Sequence, residues 1–127
     1  MLDGLWVGEW FSNVSNIHIS SGVIVFREGK VFGGNDRVYI TGDFNSADNR
    51  FDADIGITYY AGEPLGIFGL IDVNQTEHML ITGHCSGDEI KLEGTMKSDR
   101  KVRLYGLLHK KAGGEIFYLT EYERVSG

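Results

Sequence analysis

Residues 81–109, ITGHCSGDEIKLEGTMKSDRKVRLYGLLH, decide the fold, because a strand register can be worked out inside them. Ile90, Leu92, Gly94 and Met96 form one face, and Glu89, Lys91, Glu93, Thr95 and Lys97 the other. That is the period-2 alternation of a half-buried strand. The next segment repeats it, with Val102, Leu104, Gly106 and Leu108 set against Lys101, Arg103, Tyr105, Leu107 and His109. The two apolar faces must coincide, since a slip of one residue would turn a whole face to water. A three-residue loop, Ser98-Asp99-Arg100, achieves this and predicts Leu92 opposite Gly106 and Gly94 opposite Leu104. Upstream, Gly87-Asp88 reads as a two-residue hairpin turn and sets Gly83 opposite Leu92 and Ile81 opposite Gly94. Downstream, a hairpin through Lys110–Gly114 would set Gly106 opposite Tyr118. In every pairing a bulky residue meets a glycine, as a strongly coiled sheet requires.

Outward from this core the alternation continues. Candidate strands are 4–12, 17–27, 36–44, 50–60, 77–85, 89–97, 101–109 and 115–124. Glu28-Gly29-Lys30 and Gly33-Gly34-Asn35-Asp36 read as turns around a very short strand at Val31-Phe32. Within 61–75, the run Leu65–Ile71 is apolar on every side, so a buried strand and a turn of helix both stay open. The expectation is an all-β domain over 1–127, an antiparallel up-and-down meander closed into a barrel of about eight strands. Eighteen Gly and a single Pro among 127 residues agree with long strands and tight turns. Inward glycines also follow apolar residues at Trp6-Val7-Gly8 and Ile40-Thr41-Gly42, which reads as bending rather than as a repeat.

A net charge of −6 argues against nucleic acid as a partner, because phosphate binding needs a positive field. The lone Cys85 has no intrachain disulfide partner. The first residues carry no basic n-region or signal-length apolar run, and no stretch reaches the ~20 apolar residues of a membrane span. A cytoplasmic location is therefore expected. The chain has no Gly-x-Ser-x-Gly elbow, P-loop or dinucleotide fingerprint. His78 and His84 are six residues apart, about 20 Å along a strand, and Cys85 faces away from His84. Neither a metal site nor a cofactor is expected.

Asp52 and Asp54 share the outer face of a strand whose Phe51, Ala53, Ile55 and Ile57 point inward. Such a pair can act as acid and base, hold a cation or simply be solvated. With Asp48 they form an acidic side suited to a protein partner. Six of the 12 basic residues lie between Lys97 and Lys111. In the expected register Arg103 faces Glu121 and Lys101 faces Glu123, which makes them structural cross-strand pairs.

Gly4-Leu5-Trp6 and Gly8-Glu9-Trp10 resemble the opening of lipocalin-like barrels. That resemblance implies that Trp6 closes one barrel end against a basic residue of the last strand, here Arg124 beside Tyr122. Taken whole, the chain resembles the GrlR-type family of small β-barrel negative regulators of type III secretion gene expression. The likeness is carried by Asp3-Gly4-Leu5-Trp6, by Gly22-Val23-Ile24-Val25 leading to Gly33-Gly34-Asn35-Asp36, and by Tyr39 before Gly42. It implies a non-enzymatic protein that holds a transcriptional activator. Where that family carries an acidic run, this chain has Ser46-Ala47-Asp48-Asn49 and keeps only Asp48.

Three readings follow. The first is a non-catalytic regulatory or adaptor protein binding through Asp48, Asp52 and Asp54, with outward aromatics such as Tyr60 in support. The second is a carrier of a small apolar ligand, in an interior lined by Trp10, Ile81, Leu92, Leu104 and Tyr118. The third is a hydrolase or isomerase using the outer carboxylates. An exposed edge strand would also let two chains pair into a homodimer.

Overall fold

A computed structural model describes residues 2–13, 15–62 and 73–117. Eight strands follow one another: β1 (Gly4–Ser12), β2 (Ser15–Arg27), β3 (Lys30–Gly34), β4 (Val38–Ala47), β5 (Arg50–Tyr59), β6 (Thr76–Ser86), β7 (Glu89–Met96) and β8 (Arg103–Gly113). Each pairs antiparallel with the next, and β8 returns to β1, so the meander closes into a barrel.

The register reasoned from residues 81–109 is the register observed. Ile81 faces Gly94 and Gly83 faces Leu92 across β6–β7, while Leu92 faces Gly106 and Gly94 faces Leu104 across β7–β8. Gly87 has the positive φ (60°) that a type II′ turn asks of its first central residue, so the hairpin follows from local chemistry. A Cβ built at Gly83 would lie 2.0 Å from the Phe51 ring, and one at Gly94 would lie 2.4 Å from Ile81 Cδ1. The glycines are therefore spaces already occupied by neighbours. The inward residues of all eight strands merge into one apolar core, in which Trp6, Phe26, Phe51, Ile57, Met79, Ile90 and Leu108 are the most deeply buried large side chains.

The structure corrects the expected strand order at two places. Residues 30–34 form a full strand, because Glu28 (φ 49°) and Gly29 (φ 79°) turn the chain within two residues and pair Arg27 with Lys30 at once. At the other end β8 runs on to Gly113, through the segment expected to form a hairpin. Its second neighbour is β1, from Gly4 opposite Gly113 to Ser12 opposite Leu104. That pairing takes the β8 edge that the expected strand over 115–124 was to occupy; residues 118–124 lie outside the described residues. The chain instead turns at Gly114–Glu115, and Ile116 and Phe117 have helical backbone.

Gly106 consequently faces Leu92 and Trp10, keeping the predicted complementarity with a different partner. Arg103 faces Thr95; its carbonyl accepts from the Asn13 N–H at 3.1 Å, and its own N–H donates to Asn13 Oδ1 at 2.8 Å. The Lys101 carbonyl accepts from Asn13 Nδ2 at 2.8 Å. Tyr118, Glu121, Tyr122, Glu123 and Arg124 lie outside the described residues, as do 63–72 of the uncertain segment.

Candidate functional site

Three places on the barrel carry chemistry: its interior, its ion-paired outer face and its aromatic outer face. The interior starts from two tryptophans four residues apart on the inward face of β1. Trp6 is fully engaged. Its indole N–H donates to the Leu2 carbonyl at 2.9 Å, its ring meets Phe26 edge-on at 6.3 Å, and Lys110 Nζ stands 5.6 Å over its face. Lys110 lies directly across the β1–β8 ladder from Trp6, so a basic residue of β8 covers this tryptophan. Arg124, to which the resemblance gives that role, lies outside the described residues. Phe26 continues the plug through Phe44 and Phe51, at centroid distances of 5.1 and 5.3 Å.

Trp10 is also buried, yet its indole Nε1 has no hydrogen-bond partner among the described residues. It lines an apolar cavity of about 50 Å³ together with Ile81, Leu92, Leu104, Phe51 and Ile57, among others. Four of the five residues expected to line the interior thus come together there, and Tyr118 lies outside the described residues. The cavity is well short of the ~300 Å³ at which pockets for drug-sized ligands begin.

The carboxylates occupy the outer face of β4 and β5. Asp43 stands directly opposite Asp54, and Asn45 opposite Asp52. Like charges facing each other across a ladder are destabilising. Each is offset from the far side: Lys30 bridges to Asp43, and Lys97 Nζ reaches Asp54 Oδ2 at 2.6 Å. Asp52 accepts a hydrogen bond from Thr82 Oγ1 at 3.0 Å and has Arg50 at 3.8 Å. Asp48 is exposed and apart from them, in the β4–β5 turn with φ 55°. Asp52 and Asp54 therefore share a face, as expected, but each already has a cation beside it. Among the described residues no three His, Cys, Asp or Glu side chains group as metal ligands. Cys85 is a free, half-buried thiol whose pKa burial pushes up, against a smaller opposing pull from Lys110.

The aromatic face is the feature the sequence showed least. On the outer surface of β2, β3 and β4, Val23 faces Gly34 and Gly34 faces Tyr39, while Phe32 sits between Val25 and Thr41. Val23, Phe32, Tyr39 and Tyr60 are all exposed, and the Tyr39 and Tyr60 rings lie 6.0 Å apart. Gly34 (φ +146°) leaves a floor between them, and a Cβ there would strike the Val38 carbonyl oxygen at 2.3 Å. A groove of about 450 Å³ follows, lined by Gly33, Gly34, Asn35, Val38, Tyr39 and Tyr60.

The groove's frame is fixed by Asn35. Its Oδ1 accepts from the backbone N–H of Arg37 (2.8 Å) and Val38 (3.0 Å), and its Nδ2 donates to Ser21 O at 3.0 Å. The Tyr60 hydroxyl donates to the Asn35 carbonyl, tying the end of β5 to the turn. Protein-family models and curated proteins offer no match to this chain. Of the aromatic face, Tyr60 alone was foreseen as outward. Phe32 sat in a strand read as only two residues long, followed by a turn at Gly33–Asp36, so the pairing of Gly34 with Tyr39 across β3–β4 was hidden.

Proposed function

We propose that this protein is a non-catalytic regulatory or adaptor barrel that binds another protein through the outer face of β2–β4. The observation that carries the reading is the exposed cluster of Val23, Phe32, Tyr39 and Tyr60 around the Gly34 floor. A contiguous apolar patch rimmed by polar groups is an interaction site rather than ordinary surface. Aromatic anchors held on a rigid frame lose little entropy on docking, which is how a small patch earns affinity. The acidic side contributes less than its charge suggests, because Asp52 and Asp54 already have counter-ions. It acts as a polar rim, and Asp48 adds an uncompensated charge near the β4–β5 turn. The partner class implied by the family resemblance is a transcriptional regulator in the cytoplasm. An interior filled with apolar side chains and an exterior carrying the charges suit a barrel in water, the reverse of a lipid-facing one. No helix among the described residues is long and apolar enough to cross a membrane.

The test is comparative affinity capture from native extract, with wild type, a Phe32→Ser/Tyr39→Ser double variant and an Asp52→Asn/Asp54→Asn double variant. A saturable partner should be retained by wild type and by the Asp variant, and lost by the aromatic variant. Retention by the aromatic variant with loss by the Asp variant would return the site to the carboxylates.

A further inference from the structure

The outer face of β7 and β8 carries charges that the protein-binding reading leaves unused. Across that ladder Arg103 stands opposite Thr95, and Tyr105 opposite Glu93. Arg100 lies in the turn between the two strands. Asp99 stiffens this turn, its Oδ1 accepting from the Lys101 N–H at 3.1 Å and its carbonyl from the Val102 N–H at 3.0 Å. Arg100, Arg103, Glu93 and Thr95 line one groove of about 280 Å³. Among the described residues none of those three charged groups forms an ion pair, although they share a groove. A second groove of about 600 Å³ adjoins the first. Its walls include Phe11, Leu92 and Leu107, with Glu9, His84 and Lys91 beside them, and the Phe11 and Tyr105 rings lie 5.5 Å apart. Glu93 and Tyr105 line both grooves, so the two meet there.

A bare oxyanion would suit the arginines but set its charge against Glu93, and a bare cation would meet two guanidiniums. A ligand with a carboxylate and an ammonium on neighbouring atoms answers both signs, and the planar guanidinium fork matches a carboxylate. The junction of the grooves is then the place for the carbon from which carboxylate, ammonium and side chain diverge. The Arg103–Thr95 row lies two residues, roughly 7 Å, from the Tyr105–Glu93 row, a span that a phenylalanine covers from carboxylate to ring. The C-terminal residue of a peptide lacks the ammonium and the N-terminal residue lacks the carboxylate, so only a free amino acid brings all three groups. We propose that the paired grooves bind a free α-amino acid with a large apolar side chain. Its carboxylate lies on Arg100 and Arg103, its ammonium on Glu93 and its side chain along Phe11, Tyr105 and Leu107.

The experiment is titration of the full chain followed in ¹H–¹⁵N spectra, with L-phenylalanine as the probe. Amides of residues 93–95 and 103–106 should shift to saturation. 3-Phenylpropionate, which lacks the ammonium, and phenethylamine, which lacks the carboxylate, should each bind roughly 3- to 10-fold more weakly, the worth of one hydrogen bond. Glu93→Gln should erase the preference for L-phenylalanine over 3-phenylpropionate and keep that over phenethylamine. The double variant Arg100→Gln/Arg103→Gln should do the reverse. The proposal is overturned if L-phenylalanine gives no saturable shift, if 3-phenylpropionate or inorganic phosphate binds as tightly, or if either preference survives the variant meant to remove it. Should a variant fail to fold, the ligand series on the wild-type chain still decides it.

Discussion

Trp6 and Trp10 stand four residues apart on one face of one strand, and the barrel treats them in opposite ways. Trp6 is bonded, met edge-on by Phe26 and covered by a lysine; Trp10 is buried with its polar atom unanswered among the described residues. Trp6 sits in an aromatic cluster with Phe26, and its indole N–H has an acceptor. Trp10 borders an apolar cavity of about 50 Å³. Burial alone therefore does not distinguish the two aromatics; the accounting of the indole N–H does.

The comparison can be broken most severely at Trp6. Trp6→Ala should cost about 3–5 kcal/mol in urea unfolding, the usual range for deleting a large core aromatic. Gly83→Val tests the filled interior that both indoles depend on, since the new side chain would enter the Phe51 ring. A loss of about 1–3 kcal/mol or more is expected, and an unaffected midpoint would show that the wall yields. The sharpest contrast is between the two Phe variants. Trp6→Phe leaves the Leu2 carbonyl without its donor and should cost about 1–3 kcal/mol, whereas Trp10→Phe removes an unpaired donor and should fall within about 1 kcal/mol of wild type. Equal losses would erase the distinction.

Lys110→Met should change stability by less than about 1 kcal/mol, as exposed cation–π contacts do, and should shift the Trp6 fluorescence. The smallest effect concerns Cys85. Burial raises its pKa, so the thiolate fraction at pH 8 is below that of a free cysteine, and iodoacetamide should react slowly until the barrel unfolds. Alkylation at the rate of a free thiol would show that this part of the barrel opens readily.

The hairpins of β6, β7 and β8 were legible because everything that fixes them is local. Gly87-Asp88 sets one turn, the alternation sets the faces, and a short loop allows a single register. The candidate sites were legible only by halves. That Asp52 and Asp54 share an outward face follows from strand parity, but their neutralisation does not. Lys97 lies 43 residues from Asp54, and only the ladders from β5 through β7 bring them together. Phe32 and Tyr39 were brought to one patch only by the extension of β3 to Gly34, which pairs with Tyr39.

The sequence by itself determined an all-β meander, its inward glycines and the pairing of its best-patterned hairpins, since each depends on side-chain parity and turn chemistry within some twenty residues. The tertiary structure decided which strand closes the barrel. β8 meets β1 across about a hundred residues, and strand tilt and stagger must sum correctly around the whole circuit before those edges can meet. That closure places Lys110 over Trp6, brings Trp10 against Gly106 and leaves the indole of Trp10 facing no acceptor, because such neighbours come from opposite ends of the chain.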